Sequence, residues 1–256
     1  MRPVSAVLAL SLLAALLSSC EWEQPSAQSA PGVVETNPEI VNKYVSATRT
    51  QQATMRGGEM EVNIDAKLPS LEKQGRLQAL RKISRLGQIT YKALGFSGDS
   101  TVKQEVIARY LAAESEARDS GAIAITPANY KFKYKGRYVS NSTDAQILQV
   151  TPKRKAVGLF KGEIWVDAQT GMPLRESGEF VKTPSVFLRK IEFVRNYEMH
   201  DGVSFPTRIE STVDTRLVGK AELKISFSNF KPDEAQDDAG SGPGGESGNQ
   251  TSGNLN

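Results

Sequence analysis

The sequence predicts an α+β fold: a long antiparallel sheet with one apolar side, covered by two main α-helices. Period-two alternation over residues 145–230 is the first observation behind it. Ile191, Phe193, Arg195 and Tyr197 alternate with Glu192, Val194 and Asn196, and Ile209, Ser211, Val213 and Thr215 alternate with Arg208, Glu210, Thr212 and Asp214. Leu223, Ile225 and Phe227 do the same against Glu222, Lys224, Ser226 and Ser228, so each strand has a drier and a wetter face. The breaks between these runs carry turn residues, at 167–173 (DAQTGMP), 182–184, 200–202 (HDG) and 218–220, which makes the region a meander. Two stretches of helical periodicity lie upstream. A sheet with one dry face must be covered or closed on itself, so the space between sheet and helices either packs solid or holds something apolar.

Taken in order, the chain begins with Arg2 and an apolar run over residues 4–17. As a helix this run spans about 21 Å, short of the ~30 Å hydrocarbon layer. Residues 1–19 are therefore a secretory signal rather than a membrane span. Cys20, the only cysteine of the chain, follows at once, and no disulfide is available to the fold. Residues 20–37 shift to Pro, Ser, Ala, Gln and Gly with no hydrophobic period, the composition of a flexible tether reaching roughly 23 Å. Residues 233–256, rich in Gly, Ser, Asp and Asn, have the composition of a disordered acidic tail. Between them, residues 38–232 form one domain. With 39% hydrophobic and 24% charged residues overall, the chain has enough apolar content for a core.

The body opens on a helix signal: Asn37 to cap, Pro38 at the first position and Glu39 for the dipole, with Ile40, Val41, Tyr44, Val45 and Thr48 on one face up to Gly57-Gly58. A strand follows in which Met60, Val62, Ile64, Ala66 and Leu68 alternate with polar residues until Pro69. Residues 77–84 and 88–96 read as two more strands. The second helix places Val102, Val106, Ile107, Tyr110 and Leu111 along one side, with Thr101 and Gln104 as a capping box. After a loop at 119–129, Tyr130, Phe132 and Tyr134 alternate with Lys131, Lys133 and Lys135 in the strand that enters the meander. The expected order is helix, about three strands, helix, about seven strands.

Two resemblances add to this reading. Leu17-Ser18-Ser19-Cys20 resembles a bacterial lipobox, which implies cleavage before Cys20, diacylation of that cysteine and a lipoprotein of the cell envelope. Glu21 stands where the inner-membrane retention signal of such lipoproteins has aspartate, which implies the outer membrane, facing the periplasm. The segment Gly162-Glu163-Ile164-Trp165-Val166-Asp167, followed by Thr170-Gly171-Met172-Pro173-Leu174-Arg175, with the order of elements around it, resembles the LolA/LolB-type fold shared with RseB and LppX-like lipoproteins. That resemblance covers roughly residues 38–231 and implies an incomplete antiparallel β-barrel, a curved half-barrel sheet closed over by helices. It also implies lipid or lipoprotein transport. No residue matches the arginine gate or the protruding apolar loop of that group, and a shared fold does not fix function.

The net charge of +3 hides an asymmetry. Every Lys and Arg except Arg2 falls in the body, leaving 31 basic against 21 acidic side chains there, about +10, beside an acidic tail. Lys131, Lys133, Lys135 and Arg137, with Lys153, Arg154 and Lys155, form the densest basic stretch. They suit anionic lipid headgroups or acidic cell-wall polymers, or an exposed strand that resists edge pairing. Nucleic acid is not an expected partner for an exported chain.

Chemistry is sparse. His200, the only histidine, sits in a turn, and the sequence has no metal-spaced cluster, phosphate loop or nucleophile elbow. Glu163 and Asp167 share a strand face, yet such carboxylates are ordinarily solvated, and Trp165 beside them reads as a packing residue. The expectation is a non-enzymatic lipoprotein with no cofactor or metal, anchored through Cys20 and binding a lipid-like ligand between sheet and helices. The candidate cavity residues are Val62, Ile64, Ile107, Tyr110, Leu111, Phe193, Ile209, Val213, Ile225 and Phe227. An RseB-like sensor binding a membrane partner and a structural lipoprotein with a filled core are the alternatives.

Overall fold

The computed structural model describes residues 37–116, 121–216 and 219–233. The signal, Cys20, the tether and the acidic tail lie outside the described residues.

Helix α1 (Pro38–Met55) starts as its sequence dictates: the Asn37 side chain accepts from the Glu39 amide at 2.9 Å and Pro38 takes the first turn. It buries Val41, Tyr44, Ala47 and Gln51. Gly57, at φ +70°, turns the chain into β1 (Gly58–Leu68), whose Met60, Val62, Ile64, Ala66 and Leu68 are all buried. Pro69 ends the strand and opens a short 3-10 turn, Pro69–Leu71, into β2 (Lys73–Ile83) and β3 (Ile89–Gly98). Strand β2 begins four residues before the apolar pattern does, because its polar start is held by the register of Leu68 with Lys73 and Ala66 with Gly75.

The second helix runs without a break as α2 (Ser100–Val102), a π-helical segment Lys103–Ile107, and α3 (Ala108–Glu116). Its cap corrects the expected capping box of Thr101 and Gln104. The Asp99 carboxylate accepts from the Thr101 amide at 2.7 Å, while the Thr101 hydroxyl accepts from Lys73 at 2.9 Å and is spent there. Aspartate is as good a cap as any side chain, so the helix begins two residues earlier.

The seven remaining strands are β4 (Tyr130–Val139), β5 (Asp144–Pro152), β6 (Phe160–Asp167), β7 (Pro173–Phe180), β8 (Leu188–His200), β9 (Val203–Thr215) and β10 (Lys220–Pro232). All ten strands make one antiparallel sheet in the order β3-β2-β1-β10-β9-β8-β7-β6-β5-β4. Strand β10 returns to pair with β1 in mid-sheet, which leaves β3 and β4 as edges that do not pair with each other among the described residues. The fold is an open antiparallel half-barrel with helices on its inner face.

Two apolar clusters fill that face. One joins β1, β2, β9 and β10 to the second helix through Val62, Ile64, Leu77, Val102, Ile107, Ile225 and their neighbours. The other joins β4–β8 to α1 through Tyr44, Tyr130, Leu148, Phe160, Ile164 and Phe193. In the second cluster Gly162 and Gly178 pair across β6 and β7, where a Cβ on Gly178 would lie 2.7 Å from the Phe160 ring. The bare backbone of Gly178 leaves room for the Phe160 ring, which packs on Phe193 at 4.9 Å, with Phe180 on Phe193 at 5.1 Å.

Candidate functional site

Registers across the sheet align one residue of each strand in a single row on the inner face. The row reads Phe96, Leu77, Ile64, Ile225, Ile209, Arg195, Glu176, Ile164, Leu148 and Tyr134. Only two members carry charge, and they are neighbours between the two apolar clusters. Arg195 Nη1 donates to Glu176 Oε2 at 3.1 Å and to Tyr197 Oη at 3.5 Å.

Helix α1 buries Tyr44 in the second cluster, and Tyr110 of α3 packs against the first. Burial opposes the charge on Arg195, but Tyr197 and Glu176 hold its pKa above the ordinary arginine value. Burial first, and Glu176 second, push the Tyr44 and Tyr197 hydroxyls well above the usual tyrosine range. These phenols therefore stay protonated, and the Tyr197 hydroxyl accepts from Arg195. The Glu176 side chain is 6% exposed, whereas that of Arg195 is 37% exposed although it stands on the inner face amid dense surroundings. Arg195 is therefore the more accessible member of the pair.

A second polar group ties α3 to the sheet. Tyr91 Oη donates to Glu114 Oε2 and accepts from Arg81 Nε at 3.3 Å, while Arg81 Nη2 reaches Glu114 Oε1 at 3.5 Å. Arg81 also lies 5.9 Å from the centre of the Phe227 ring. Burial disfavours its charge, and Glu114 and Tyr91 more than offset that. Tyr110, one turn from Glu114, has a buried hydroxyl with no hydrogen-bond partner.

The expected cavity residues divide between the clusters. Val62, Ile64, Ile107, Ile209, Ile225 and Phe227 meet in the first, with Tyr110, Leu111 and Val213 packed against it, while Phe193 stands in the second. Val62, Ile64, Ile107 and Ile225 are 0–1% exposed, so no water-sized space touches them here.

Of the basic stretch, Lys131, Lys133, Lys135 and Lys155 are exposed. Arg137 bonds Asp144, Lys153 donates to the Pro127 carbonyl, and Arg154 donates to the Ala122 carbonyl. Glu163 and Asp167 form no acid pair: Asp167 caps its turn, accepting from the amides of Gln169 and Thr170 and from the Thr170 hydroxyl. Trp165 stacks on Tyr138 at 5.3 Å and under Arg175. His200 is exposed beside a turn in which Asp201 and Gly202 have positive φ.

The polar centre was in part visible in the sequence, because Arg195 and Tyr197 alternate in phase with Ile191 and Phe193 on the dry side of their strand. Glu176, Arg81 and Glu114 gave no such signal. Among the described residues no group of three or more His, Cys, Asp and Glu side chains is placed to hold a metal, and no helix is long and apolar enough to cross a membrane.

No family model matches this chain, and no curated protein matches it. Solved structures do. A LolA superfamily protein from Nitrosomonas europaea is 17% identical, with 76% of this chain and 92% of that chain covered at a TM-score of 0.38. A DUF1329 family protein from Desulfovibrio piger is 15% identical, with 78% and 95% covered at 0.40. A putative outer membrane lipoprotein-sorting protein domain from Vibrio parahaemolyticus is 12% identical, with 79% and 96% covered at 0.41.

Proposed function

We propose that this chain is a non-enzymatic bacterial envelope lipoprotein, anchored through Cys20, whose half-barrel binds an apolar, lipid-like ligand between the sheet and its helices. The observation that carries the reading is the partly accessible Arg195 on the inner face between two apolar clusters: a space opening there would be walled by apolar side chains on both flanks. An acyl chain of about fourteen methylenes buried in such a space contributes up to ~11 kcal/mol, before the cost of ordering chain and helices. Partial burial is enough for measurable stabilisation.

The complete burial of Val62, Ile64, Ile107 and Ile225 favours a second reading, a filled core with a structural role. One experiment separates them. The mature chain with Cys20→Ala, made without lipid, is expected to take up a fluorescent fatty-acid analogue, to release it to long-chain lipids, and to melt at a higher temperature with lipid bound. No uptake would leave the filled core in place. In cells, the same substitution is expected to move the protein from the membrane fraction to the soluble periplasm or to leave it as uncut precursor.

A further inference from the structure

We propose that Arg195 holds the polar end of the bound amphiphile, its Nε and Nη2 donating to an acyl oxygen of a carboxylate or ester, with Tyr110 Oη on α3 as second donor. This rests on the reading above, in which an apolar chain lies along the inner face.

Placement is the first argument. Eight of the ten residues in the row across the inner face are aliphatic or aromatic, and the Arg195–Glu176 pair interrupts them where the two apolar clusters meet. An apolar pair of similar size would serve stability as well or better at such a position. The charge is therefore in excess of what folding requires. Placed at the junction, it marks one point along an otherwise apolar path and sets where a polar end stops.

Donor accounting is the second. A guanidinium offers five N–H groups in a rigid fork. Nη1 of Arg195 serves Glu176 and Tyr197, and no described residue accepts from Nε or Nη2. The side chain nonetheless keeps 37% of its surface accessible. From the helix side, Tyr110 Oη is buried with no partner, a group that ordinarily costs free energy unless something accepts from it. Ile209, which pairs with Arg195 across β8 and β9, belongs to the cluster against which Tyr110 packs.

The ligand chemistry follows from this balance. Glu176 neutralises Arg195, and the tyrosines stay neutral, so the centre offers hydrogen bonds without net charge. That suits an oxygen acceptor at the head of a hydrocarbon chain and gives nothing to a cationic headgroup.

The test uses the mature full chain with Cys20→Ala and three probes: diphenylhexatriene, which is apolar and has no acceptor, and palmitate and methyl palmitate, which displace it. In the Arg195→Met/Glu176→Gln double variant, diphenylhexatriene is expected to bind as in the parent. Displacement by palmitate and methyl palmitate is expected to need about tenfold more ligand or higher. Tyr110→Phe should shift displacement the same way by a smaller factor without loss of melting temperature, and it carries the test alone if the double variant does not fold. Weakened displacement by both lipids assigns the acyl oxygen they share, and weakening for palmitate alone assigns the carboxylate. Unchanged displacement by both would overturn the role of Arg195 while leaving the apolar site. Failure of the parent to take up diphenylhexatriene would overturn the apolar site itself.

Discussion

Ile225 on β10 stands between Ile64 and Ile209 in the row across the inner face and is 1% exposed. Truncating a side chain in such a place loses its transfer free energy and leaves a void that the neighbours only partly fill. Ile225→Ala is expected to destabilise the lipid-free protein by about 2 to 5 kcal/mol, read as a shift of the urea midpoint at unchanged slope. A loss below about 1 kcal/mol would mean that space already exists there, since widening a void costs far less than opening one. The contrast between Ile225 and Arg195 shows what single residues disclosed before the fold was known. Alternation placed both on the dry face of their strands, and for Ile225 hydrophobicity alone then gives the burial. For Arg195 the same alternation set a charge on that face but could not say what balances it. Glu176 lies on the adjacent strand, and only the pairing of β7 with β8 brings it opposite.

Among the elements, the second helix has the weakest local encoding and the most specific fastening. Its start depends on Asp99, where burial raises the pKa, but the side chain and amide of Thr101, followed by Lys73, hold it below the ordinary value of 3.8. A folded pKa below the unfolded one means stabilisation that is present above the unfolded value and lost as pH falls through the folded value. Asp99→Asn keeps a capping oxygen and removes the titration. On acidification from about pH 6 to about pH 2, the melting temperature of the wild type is therefore expected to fall further than that of the variant; parallel curves would show that Asp99 is not coupled to folding. The sequence displayed the apolar stripe of this helix but misplaced its cap by two residues, because the Thr101 hydroxyl is engaged by a lysine from β2, a contact that exists only after β2 and β3 have paired. Strand β1, by contrast, was legible from end to end, since Gly58 and Pro69 bound it and its alternate positions are buried throughout. The π-helical segment Lys103–Ile107 carries no proline or glycine to announce it.

On the scale of the whole molecule, a body of about +10 presents Lys131, Lys133 and Lys135 on the exposed edge strand β4. Exposed charges act within a Debye length of roughly 8 to 10 Å at physiological salt. Binding of the Cys20→Ala chain to anionic vesicles is accordingly expected to weaken as salt rises, and to weaken further with all three lysines changed to Gln. Vesicle binding that ignores both salt and the triple substitution would return these lysines to the role of keeping an edge strand soluble. The other edge, β3, lies at the far end of the same sheet, and the two do not pair among the described residues. In a closed barrel, strand number and stagger fix the bore, and widening it means breaking a ladder. A sheet without a seam has no such constraint. Its two margins can draw together or part by a small change of twist shared over nine strand pairings, with every backbone bond kept, so strand number and stagger alone do not fix the gauge of the interior.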